Sequence, residues 1–178
     1  MRLSKFVLTL TVIAMILLVV PSVLANGNGE PGDKGKVTGG GQIPIVDGKA
    51  SFGFNAMWFT RNTDPNGELE YVDHVTGDKV HAHDLVYLGV WEDNSGNKPY
   101  PKRYAYFEGP CTFNHEGGYY FECLVEDDKE PGTADGFSLL VYKVSPYDVV
   151  VEVGDPDPYD PIPLMLLHGN IQIHKPPK

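Results

Sequence analysis

His81 and His83 stand one residue apart in "KVHAHD" (residues 79–84), with Asp84 beside them. On a β-strand, residues i and i+2 point to the same face, so the two imidazoles project together. Zinc and copper ligand pairs exploit that spacing. His74 ends the preceding alternating segment, and with residues 75–79 as the connection it falls diagonally near His81. His74, His81, His83 and Asp84 are therefore the candidate metal ligands, three nitrogens and a carboxylate. Against this, the outward faces of antiparallel strands are polar, and histidine is an ordinary residue there. No His-Glu-x-x-His signature accompanies them. The polar-strand reading takes precedence, and no cofactor is required.

Oxygen chemistry has two candidate stretches. In "DPDPYDP" (155–161), Asp155, Asp157 and Asp160 offer ligands of the type that Ca²⁺ takes in extracellular modules. The stretch lacks the glycine and closing glutamate of an EF-hand, since its twelfth position is Leu166, and its alternating prolines favour an extended spacer. "EDDKEPGTAD" (126–135) carries the same acidic character. Aromatic side chains make a third candidate. Trp58, Trp91, Tyr104 and Tyr106 could form the platforms on which β modules hold sugars, although aromatic cross-strand pairs also simply stabilise sheets. No catalytic residue is assigned: the chain has no Gly-x-Ser-x-Gly elbow and no phosphate loop. Paired carboxylates for glycoside hydrolysis depend on a separation that a sequence does not display.

These residues must be positioned by an exported β domain. Residues 1–25 open with Arg2 and Lys5, run apolar over 6–20, meet Pro21, and end Val23-Leu24-Ala25. That is the pattern of a secretory signal cleaved after Ala25. The remaining residues, 26–178, suit one domain. The full chain carries 14 basic and 24 acidic residues, and losing Arg2 and Lys5 moves the net charge from −10 to −12. So acidic a chain is a poor partner for nucleic acid or anionic lipid, which call for basic patches. The 20 glycines, 15 prolines and 10 tyrosines favour turns and strands over helices.

Residues 26–36 form a polar, Gly-rich leader, and period-2 patterning dominates from Val37 to Lys175. Ile43 and Ile45 share a face before Asp47-Gly48, a hairpin signal, and Ala50, Phe52, Phe54 and Ala56 then alternate. Pro44 predicts an edge position for the first strand. Val80, Ala82, Val86, Leu88 and Val90 mark one inward face. Cys111 and Cys123 fall opposite one another if a three-residue connection joins the hairpin strands around "HEGG", which predicts a disulfide between them. Residues 145–163 interrupt the alternation as an insertion with a short strand of their own. Eight or nine strands are expected, in an antiparallel β-sandwich of jelly-roll type. "GGGQIPI" (39–45) and "HGNIQIHK" (168–175) echo each other, as first and last strands lying together would.

The blocks "KVTGGGQIPIVDGKASFGFNA", "GELEYVDHVTGDKVH", "GPCTFNHEGGYYFECLVEDDKEPGTADGFSL" and "GNIQIHK" resemble a family of small secreted β domains of bacterial and archaeal exported proteins. The resemblance covers residues 36–143 and 168–175, and residues 145–167 depart from the family's compact pattern. It implies a shape and an extracellular or cell-surface location, not a reaction. The expected role is a non-catalytic interaction or structural module. Its expected partners are a cell-envelope protein or polysaccharide, or further copies of itself through edge strands. Sugar binding and a small metalloprotein built on the histidines are the alternatives.

Overall fold

The computed structural model describes residues 35–59, 63–93, 102–128 and 134–174. The signal segment and most of the leader lie outside them. Among the described residues every regular element is a strand: β1 (Gly35–Ile45), β2 (Gly48–Trp58), β3 (Asn66–Asp73), β4 (Lys79–Asp84), β5 (Tyr87–Asp93), β6 (Lys102–Phe113), β7 (Glu116–Asp127), β8 (Gly136–Val144), β9 (Tyr147–Val153), β10 (Leu164–Met165) and β11 (His168–His174). No described helix is long and apolar enough to cross a membrane.

All eleven strands join one antiparallel sheet, in the order β10-β8-β7-β6-β4-β3-β2-β1-β11. β5 also pairs with β6, and β9 with β8. Two long apolar segments of the sequence each divide. The run from residue 80 to 90 breaks at Leu85–Val86 into β4 and β5, so Leu85 turns inward and Val86, expected inside, is exposed. Residues 164–174 divide likewise into β10 and β11, which raises the count above the nine expected.

The sheet curls over its own apolar face. Phe52 of β2 stacks on Phe137 of β8 with ring centroids 4.0 Å apart, although β7, β6, β4 and β3 separate them in the ladder. Phe54 likewise meets Phe107 of β6 at 5.2 Å. Each such ring contributes about 2–3 kcal/mol through burial, so the curl follows from the alternation. β1 and β11 lie together as the echo implied, from Lys36 opposite His174 to Gln42 opposite His168. Pro44 sits beyond Gln42, where β1 has outrun β11, so its missing N–H interrupts no pairing with that strand although β1 is not an edge strand.

The outer edge of β11 is closed by side chains. Ile171 N–H donates to Asp135 Oδ2 at 2.7 Å, and Ile173 N–H to Asp127 Oδ2 at 3.1 Å. Arg103 Nη1 donates to the Ile173 carbonyl at 3.4 Å. These bonds satisfy groups that an edge strand otherwise leaves open.

The expected disulfide is absent: Cys111 and Cys123 are both free and buried. The hairpin turns on two residues, Asn114 and His115, with φ of 50° and 68°, rather than on three. Cys111 therefore faces Tyr119, and Cys123 faces Phe107. Four residues of strand is about 13 Å, well beyond the α-carbon separation a disulfide accepts.

Candidate functional site

His74 does not join His81 and His83. His81 and His83 share a face of β4 with ring centroids 3.8 Å apart, and their Nε2 atoms meet. The other nitrogen of His81 contacts the Glu70 carboxylate, directly across the β3–β4 ladder. His74 instead lies just past β3, where its ring Nε2 is 2.5 Å from Ser51 Oγ and its backbone N–H donates to the Lys49 carbonyl. Asp84 lies opposite Asn66, beyond a register shift in the same ladder. Among the described residues, no group of three His, Cys, Asp or Glu side chains is arranged to hold a metal ion.

The acidic loops use their carboxylates on the backbone. Asp155 Oδ1 accepts from Asp157 N–H at 2.9 Å, and Asp157 Oδ1 from Tyr159 N–H at 2.8 Å. These are Asx turns, in which each carboxylate caps the backbone of its own loop. An Asp155–Ile162 bridge closes it, and Asp160 remains exposed at its tip. In the 126–135 stretch, whose residues 129–133 lie outside the described set, Asp127 and Asp135 serve β11.

The chemistry-bearing side chains gather on the outer face of β5 to β8. Alternation that sends Phe107, Phe121, Leu139 and Val141 inward sends Tyr106, Glu108, Tyr120, Glu122, Leu140 and Tyr142 outward. Glu108 lies between Tyr87 of β5 and Glu122 of β7, and Glu122 lies between Glu108 and Leu140 of β8. Tyr120 and Tyr142 are opposite each other in the next row, with ring centroids 5.9 Å apart. Tyr87 and Tyr106 close the other side at 6.0 Å. Two carboxylates are thus ringed by four half-buried tyrosines.

Hydroxyl hydrogen bonds tie the ring to the acids. Tyr106 Oη donates to Glu108 Oε2 at 2.8 Å, and Tyr142 Oη to Glu122 Oε1 at 3.2 Å. Burial, reinforced by these carboxylates, raises the hydroxyl pKa of Tyr106 far above the usual tyrosine range and that of Tyr142 well above it. Tyr120 is pushed up to about 12 by burial and by Glu108 and Glu122. Tyr87 is raised by burial, then by Glu108 and then by Tyr159 of the 154–163 segment. Beneath that segment the Ser138 hydroxyl is fully buried and has no hydrogen-bond partner.

A neighbouring acid shows the contrast. Glu126, on the same outward phase of β7, is ion-paired with Lys102. Tyr104 stacks on Trp91 at 5.6 Å beside that pair, its hydroxyl pushed up to about 12 by burial and by Glu126. Trp58 donates its indole N–H to the Thr63 carbonyl at 2.6 Å and meets Tyr87 edge-on at 6.4 Å.

Of the four aromatic residues singled out in the sequence, Tyr106 lies in the ring and Trp58 touches its margin. Trp91 and Tyr104 form a separate stack. Tyr87, Glu108, Glu122 and Tyr142 were missed. Period-2 phasing alone would have put Tyr106 and Glu108, or Tyr120 and Glu122, on one face. Joining the two pairs needed the hairpin register. No protein-family model, curated protein or solved structure matches the chain.

Proposed function

We propose that this chain is a secreted, non-catalytic β domain that binds a saccharide of a cell envelope or extracellular matrix on its tyrosine–glutamate face. The observation that carries this is the ring of Tyr87, Tyr106, Tyr120 and Tyr142 around Glu108 and Glu122. Tyrosine rings supply apolar area for a pyranose face, and carboxylates accept from its hydroxyl groups. Both glutamates accept hydrogen bonds from tyrosine hydroxyls, which favours a recognition role over that of a proton donor. The curled sheet is read as a β-sandwich of jelly-roll type, an architecture that presents such a face on rigid strands. The signal segment and the likeness to secreted β domains support an extracellular place for it.

The test is a titration of residues 26–178 with soluble oligosaccharides, followed by calorimetry and by the fluorescence of Trp58, which lies against Tyr87. Saturable binding that Tyr120→Ala and Tyr142→Ala weaken supports the reading. Absence of binding across neutral, acidic and amino-sugar oligomers overturns it.

A further inference from the structure

Glu108 and Glu122 are directly opposite on adjacent strands, an arrangement in which like charges destabilise a sheet. Their Cβ atoms are therefore about 4.5–5.5 Å apart. Among the described residues the ion pairs with lysine, arginine or histidine are Lys102–Glu126, Arg103–Glu92 and His81–Glu70, and none involves Glu108 or Glu122. Glu152, opposite Leu140, extends the same row of acids onto β9. Among the described residues, the hydrogen bonds to these two carboxylates come from tyrosine hydroxyls, which carry no charge.

We propose that the ligand is an amino-sugar polymer bearing free, protonated amines, and that one such amine seats between Glu108 and Glu122. The inference rests on the saccharide reading above and names its ligand class. Charge complementarity carries it: a cation between the two carboxylates removes a repulsion that the fold otherwise bears. The tyrosine rings add attraction, because a cation within about 6 Å of a ring face is drawn by the quadrupole. They also supply the flat apolar surface that a bare ammonium ion does not need and a pyranose ring does. The acidic chain, at net −10 over its full length, favours encounter with a polycation over a polyanion.

The experiment compares four probes by calorimetry on residues 26–178: a glucosamine oligomer, its fully N-acetylated counterpart, a glucose oligomer and spermidine. The expected result is that the glucosamine oligomer binds at least about tenfold more tightly than the other three. Glu108→Gln and Glu122→Gln should each abolish most of that preference, and added salt should weaken it. Both substitutions keep shape and remove a repelling charge, so the variants should melt no lower than the parent, which separates lost recognition from lost fold. Equal binding of the acetylated and free-amine oligomers, unchanged by Glu122→Gln, overturns the amine inference and leaves the saccharide reading standing. Spermidine binding as tightly as the oligomer, or no oligomer binding at all, overturns both.

Discussion

The Asp135 carboxylate, fully buried, accepts the backbone N–H of Ile171 at 2.7 Å, joining the loop before β8 to the outer edge of β11. Its other oxygen faces Asp128 N–H at 3.4 Å. A buried carboxylate is costly unless its acceptor sites are filled by donors, and backbone N–H groups do that here. β11 is thereby sealed by side chains on the side where no further described strand pairs with it.

Removing that acceptor leaves the Ile171 N–H buried and unsatisfied. Asp135→Ala is expected to cost about 3 kcal/mol, and Asp135→Asn, which keeps one acceptor oxygen, about half as much. Urea unfolding measures the loss. Amide exchange should accelerate first at Ile171 and Ile173, and a uniform acceleration across all strands would speak against local sealing.

Gly41 and Gly169 face each other where β1 meets β11. A Cβ on Gly41 would come within 2.3 Å of the His168 carbonyl oxygen, and one on Gly169, at φ 125°, within 2.2 Å of that of Gly40. Backbone on both sides has nowhere to move. Either alanine substitution should cost more than about 2 kcal/mol, whereas Gly53→Ala, with open space around it, should be neutral or mildly stabilising. Melting temperatures of the three variants decide the point.

The two thiols should remain reduced in the purified protein. Burial pushes the Cys111 thiol up to about 12 and that of Cys123 well above its ordinary value. Few thiolates exist at neutral pH, so neither should react with a thiol reagent until the chain unfolds. Counting thiols with and without denaturant tests this. A mass two protons lower before reduction would contradict the register of β6 and β7.

Alkaline pH should destabilise the fold. The tyrosine hydroxyls of the face hold their protons to higher pH when folded than when unfolded. Between the two values the native state binds more protons, so its stability is complete below the ordinary tyrosine pKa of about 10 and falls as pH rises above that. Denaturation midpoints taken from pH 8 upward should decline from near pH 10. Tyr106→Phe should flatten the decline, and an unchanged slope would remove Tyr106 as a contributor.

The histidine pair should matter little to stability. Glu70, His81 and His83 are at least partly exposed on the outer side of the β3–β4 ladder, where substitutions change stability by about 0.5 kcal/mol or less. Among the described residues no group of three metal-ligating side chains is arranged to hold a metal ion, so zinc should not raise the melting temperature. A zinc-dependent rise that His81→Ala abolishes would support the metal reading instead.

The alternation of Ala50, Phe52, Phe54 and Ala56 was legible because side-chain direction on a strand has a period of two. The same local rule put His81 and His83 on one face. The disulfide was misread because register accumulates from the turn. Two positive-φ residues, Asn114 and His115, replaced the three-residue connection and moved every later pair. In the 155–161 stretch the sequence does not show that Asp155 and Asp157 cap the backbone of their own loop.

Local chemistry in the sequence therefore determined the strand class, the position of the first hairpin and the inward faces, since each depends on neighbours within a few residues. Tertiary structure alone decided the register of β6 on β7 and, β1 with β11 apart, which strands distant in the sequence lie side by side. That pairing brings Glu108 against Glu122, separates Cys111 from Cys123, and carries Asp135 to the edge of β11. These contacts join residues many positions apart, and only the register and curl of the completed sheet set their distances.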